Sequence, residues 1–61
     1  MSDYDKWNGE VIDHVEMMLD ITRSDAQGIV MAQAFTLSRS WAKALSAKAT
    51  AEIIADKFKT E

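Results

Sequence analysis

Thirteen consecutive residues, Ala26 to Ser38, carry no charged side chain, and their apolar members point in almost every direction around a helix. The whole chain has 61 residues, and a domain of that size buries only about 60% of the surface its unfolded chain exposes. A segment that is apolar on several sides needs several neighbours to cover it, and so short a chain has few. The constraint points to self-association or to docking on another protein.

Small folds are usually reinforced by disulfides, a structural metal or oligomerisation. The chain has no cysteine, which excludes disulfides and cysteine-based zinc sites, and its one histidine cannot build a His-rich centre. Oligomerisation or very good helix packing is what remains, and no cofactor is expected. The lack of cysteine also fits a cytoplasmic protein. No window reaches the roughly 18 to 20 apolar residues of a membrane span, and the acidic start Met1-Ser2-Asp3-Tyr4-Asp5 is unlike a basic signal-peptide region. The expectation is a soluble cytoplasmic protein, one domain over residues 1–61, without a membrane partner.

The net charge of −3 is unevenly spread. Asp3, Asp5, Glu10, Asp13, Glu16, Asp20 and Asp25 face only Lys6 and Arg23 up to Gln27. From Gly28 onward Arg39, Lys43, Lys48, Lys57 and Lys59 outnumber Glu52, Asp56 and Glu61. The first half repels nucleic-acid phosphates and the second attracts them only mildly, so nucleic acid is disfavoured as a partner, while head-to-tail pairing of opposite ends is favoured.

Proline is absent, glycine occurs only at Gly9 and Gly28, and no β-branched run alternates with polar residues, so the chain reads as helices. Ser2 with Asp5 has cap spacing, and acidic residues suit the first turn. Asn8-Gly9 is turn-like and is an alternative start. Steps of about 100° put Tyr4, Trp7, Val11, Val15, Met18 and Leu19 on one face with Ile12 at its margin, and place Met17 on the polar side. This first helix is expected near residues 3–19. Thr22 with Asp25 and Ser24 with Gln27 both have cap-plus-N3 spacing. Thr22 is preferred, because Ile21 and Ala26 then take the hydrophobic-staple positions. The short link makes the flanking helices antiparallel neighbours.

From near Ser24, Ala26, Val30, Ala34 and Leu37 form one stripe, and Gly28, Met31 and Phe35 form another a third of a turn or more away. Further on, Trp41, Leu45, Ala49 and Ile53 make one ridge, and Ala44, Ala47, Ala51, Ile54, Ala55 and Phe58 a second. The chain allows a break at Thr36–Ser38, with Ser38 as cap, or a continuous helix from Ser24 to Phe58. The continuous helix would run about 50 Å against about 25 Å for the first, which nearly requires a second subunit. The broken form permits a monomeric three-helix bundle.

His14, at the edge of the first helix's apolar face, has Glu10 one turn before it and Asp13 beside it. A surface metal site or acid–base pair is conceivable there, but a boundary histidine among solvated carboxylates is the simpler reading. Val11, not glutamate, stands three residues before His14, unlike carboxylate-bridged metal bundles. Ser24, Ser38, Ser40, Ser46 and Thr50 have no base to activate them, so capping or solvation is expected. The two glycines lie nineteen positions apart, which rules out a Gly-rich phosphate loop. No catalytic residue is assigned, and the chain reads as a non-enzyme.

Residues Met31 to Leu45 resemble a helix-turn-helix of bacterial repressors, with Ala32 as the small residue, Leu37 at the turn and Ser38 to Leu45 as recognition helix. That resemblance implies Arg39, Ser40 and Lys43 as DNA-contacting residues of a dimeric regulator. Thr36 stands where the turn glycine is usual, and few bases are present to neutralise phosphates. A second segment, Thr22-Arg23-Ser24-Asp25-Ala26-Gln27-Gly28 followed by Ile29-Val30-Met31-Ala32, resembles a stretch in small uncharacterised phage and mobile-element proteins. It implies an accessory or host-modulating protein with a host protein partner, such as an inhibitor of a bacterial defence enzyme. In size, acidity and helicity the chain is also similar to small plasmid-borne RNA-binding helical hairpins, without their basic face.

The resulting expectation is an all-α protein, a helical hairpin or three-helix bundle, that forms a homo-oligomer, with a dimer favoured, and acts through protein–protein interaction. Aromatic residues and methionine are enriched at interfaces, which nominates Met31, Phe35, Leu37, Trp41 and Leu45 as the interface.

Overall fold

The computed structural model describes residues 2–60. Among them are four helices: α1 (Asp3–Leu19), α2 (Arg23–Ala32), α3 (Ala34–Ala42) and α4 (Ala47–Thr60). The chain is all-α, but with one helix more than a three-helix bundle and no continuous helix through its second half.

Helix α1 begins where its cap spacing says it should. The Asp5 amide donates to Ser2 Oγ at 3.2 Å, and the helix runs through Asn8-Gly9 without a turn. It ends at Asp20, whose left-handed backbone (φ 53°) lets the Ile21 amide reach back to the Glu16 carbonyl at 3.2 Å. The Asp25 amide donates to Thr22 Oγ1 at 3.2 Å, so Thr22 and not Ser24 caps α2. Of the staple pair, Ala26 is buried in the core and Ile21 packs against it, partly buried.

The break between α2 and α3 falls at Gln33 (φ −105°, ψ 37°), not at Thr36–Ser38. Ser38 is therefore no cap, and Leu37 lies inside α3 with its side chain in the core. Helix-turn-helix geometry with a turn at Leu37 does not form. No glycine or proline interrupts residues 34–42, and Leu37 gains more by burial than a turn would give it. The break has a whole-molecule cause. At 1.5 Å per residue α1 is about 25 Å long and already spans the longest dimension of a molecule measuring 26 × 21 × 17 Å. A continuous second helix would carry Ala51 and Ile54 past anything able to cover them. Breaking at Gln33 and again after Ala42 brings α4 back along α1, its most extensive packing partner.

The second reversal has a full Schellman pattern: Leu45 N–H bonds to Ser40 O and Ala44 N–H to Trp41 O, both at 3.0 Å, with Ala44 left-handed at φ 59°. Ser46 then caps α4 by accepting from the Ala49 amide at 3.1 Å.

Val11, Val15, Val30, Ala51 and Ile54 are sealed in the centre, with Trp7, Ile12, Ala26, Leu37 and Ala47 around them. Of the expected α1 face, Met18 is the exception, more than a third exposed. Ala34 of the first stripe, Trp41 and Ile53 of one later ridge, and Ala44 and Phe58 of the other are also exposed. Thr50, fully buried, satisfies its hydroxyl by donating to the Ser46 carbonyl one turn back, at 3.0 Å.

Candidate functional site

The two stripes read from the uncharged segment part company in the fold. Ala26, Val30 and Leu37 turn inward, whereas Gly28, Met31 and Phe35 stay outside. Met31 is 74% exposed and Phe35 72%. On α2 and the end of α4 lies an open groove of about 470 Å³, lined by Ile21, Gly28, Ile29, Ala32 and Phe58 together with the polar Ser24, Asp25 and Gln33. Phe58 is half exposed and forms one wall. An added Cβ at Gly28 would meet nothing within 4 Å, so the floor of this groove is open.

The five residues nominated as an interface are not on one surface. Met31 and Phe35 are open; Leu37 is in the core and unavailable to a partner. Trp41 is 40% exposed, but its ring belongs to an aromatic cluster, 5.2 Å from both Tyr4 (edge-on) and Trp7. Leu45 is half-buried, and its carbonyl accepts from Trp7 Nε1 at 3.0 Å. Trp41 and Leu45 thus fasten the α3–α4 link to the start of α1, a structural task that sequence spacing did not reveal.

Arg39, Ser40 and Lys43, grouped in sequence as DNA contacts, do come together, but in a different setting. They line a groove of about 180 Å³ between α3 and α4 with Phe35, Thr36, Leu45, Ile53 and Lys57. Ser40 is buried in its floor. The Arg39 guanidinium lies 5.4 Å from the centre of the Phe35 ring. Lys57 donates to Thr36 Oγ1 at 3.1 Å across the groove, and Thr36 Oγ1 is 3.5 Å from Gln33 Oε1. Lys57 was not anticipated, because it lies 21 residues from the threonine that holds it.

His14 is half-buried on α1. Asp13, its neighbour, is taken by Arg23, which also approaches Glu16 at 3.8 Å. Among the described residues no group of three or more histidines and carboxylates is placed to hold a metal ion, and no helix is long and apolar enough to cross a membrane.

No known protein family matches this chain, and comparison with curated proteins and with solved structures returned no significant match.

Proposed function

We propose that this protein works by binding rather than catalysis, and that it self-associates as a homodimer through the outer face of α2 and the α2–α3 junction. The observation that carries this reading is the exposure of Met31 and Phe35 within the uncharged stretch, whose helix α2 also lines an apolar groove through Gly28 and Ala32. In a two-fold dimer each patch meets its own copy, so any charge near the axis opposes a like charge. Met31 and its uncharged neighbours escape that penalty near the axis, with Asp25 at the groove's edge and Arg39 beside Phe35 left to the rim. A standard interface takes about 800 Å² from each partner, roughly a fifth of the 4127 Å² surface of this chain, which is enough to cover Met31, Phe35 and the groove together.

Sedimentation equilibrium over a concentration series tests the reading. The wild type should be dimeric at high micromolar concentration, and Met31→Glu or Phe35→Glu should be monomeric with unchanged far-ultraviolet circular dichroism, because both side chains lie outside the core. A wild type that stays monomeric at high micromolar concentration overturns it.

A further inference from the structure

The chain has ten carboxylates for seven Lys and Arg residues, yet among the described residues Arg23 is the only cation in an ion pair. Three of the others, Arg39, Lys43 and Lys57, surround the α3–α4 groove, whose lining includes no carboxylate. Gathering like charges costs free energy that an acidic chain has ample means to offset internally. Lys57 is also fixed in place: buried Thr36 accepts one of its ammonium hydrogens, leaving two to point elsewhere. Apolar walls stand next to these cations, with Phe35 mostly exposed and Ile53 more than a third exposed.

We propose that this groove binds a short acidic segment of a partner protein. Carboxylates of the segment pair with Arg39, Lys43 and Lys57, and an apolar side chain between them covers Phe35 and Ile53. A guanidinium offers a planar fork that matches a carboxylate, and pairing of opposite charges beside buried apolar area is how such grooves gain specificity. A peptide fits better than a nucleic acid for two reasons. The groove is small, about 180 Å³, and the neighbouring exposed surface of α4 carries Glu52 and Asp56, which would repel a phosphate backbone continuing past the three cations. A short segment ends before it reaches them.

The test is an amide-shift titration of the ¹⁵N-labelled 61-residue chain with three probes: a blocked glutamate-rich peptide with a central leucine, its glutamine counterpart, and an oligothymidylate of similar length. The acidic peptide should shift amides of residues 35–45 and 53–57, and the glutamine peptide should not. Lys43→Glu, at an exposed position, should weaken the acidic peptide about tenfold with the circular dichroism unchanged. Lys57→Gln should weaken it less. Absence of shifts with the acidic peptide, or equal shifts with both peptides, overturns the proposal. Tighter binding of oligothymidylate than of the acidic peptide overturns it in favour of a nucleic-acid site. Phe35 belongs to both surfaces, so the titration is repeated on Met31→Glu, where the dimer is absent, and failure there leaves the Met31 interface standing.

Discussion

Ala44 holds φ at 59°, where a Cβ crowds the following carbonyl. Asp20 holds a similar angle at the end of α1, but aspartate tolerates it better because its short polar side chain can bond locally. No turn residue marks position 44, and in the sequence Ala44 reads as one more alanine of a helical ridge. The left-handed conformation is imposed by the need to turn α4 back onto α1. Ala44→Gly removes the crowding at some cost in unfolded-state entropy. It should stabilise the protein by about 0.5–1 kcal/mol, or several degrees in Tm for a domain this small. Gly9 presents the opposite case. It lies inside α1, and a Cβ there would meet nothing within 4 Å, so Gly9→Ala should add about 1 kcal/mol through helix propensity. Thermal unfolding of the two variants makes a paired check: opposite substitutions, both raising Tm. A lower Tm for Ala44→Gly would mean that the turn after α3 is built differently.

Two helix starts that rest on one local bond were legible in the sequence, whereas the start of α4, capped just as locally by Ser46, and the break at Gln33 were not. Ser2 and Thr22 announce themselves by cap spacing, and each receives the amide three residues on. Gln33 carries no such signal. The helix breaks there because Val30 before it and Leu37 after it must both reach a core made by α1 and α4. The same holds for the α3–α4 groove. Arg39 and Ser40 on α3 and Lys43 just past its end are near one another in sequence and visible as a group, whereas Lys57 and Ile53 join them only through the return of α4. That return is held by Trp7, whose indole donates to the Leu45 carbonyl at 3.0 Å and whose ring meets Trp41. Trp7→Phe keeps much of the apolar contact and deletes the donor, leaving the carbonyl of Leu45 to find another partner. A loss of about 1–3 kcal/mol is expected, read as a lower urea midpoint with an unchanged slope. Ser46→Ala removes the cap of α4 and should cost about 1 kcal/mol.

The molecule as a whole buries one apolar stripe of its uncharged segment and leaves the other in water, where Phe35 also forms a wall of the groove ringed by cations. These two surfaces should respond to salt in opposite ways. Screening shortens the Debye length from about 10 Å at 0.1 M to about 3 Å at 1 M, which weakens attraction between lysines and an acidic peptide. Met31 brings no charge to the interface and Phe35 only the Arg39 guanidinium at its edge, so salt has little attraction to screen between two facing copies. In addition, the chain's net charge of −3 makes two copies repel at long range, and salt relieves that repulsion. Raising sodium chloride across this range should therefore leave the dimerisation constant unchanged or tighten it, while peptide affinity falls several-fold. The dimer itself should also show as a Tm that rises with protein concentration, since association stabilises the folded chain by mass action. In Met31→Glu that rise should vanish, whereas its peptide affinity should stay close to that of the wild type. If salt dissolves the dimer and peptide binding together, the copies are held by the cationic groove, and a neighbouring chain's carboxylates are its occupant.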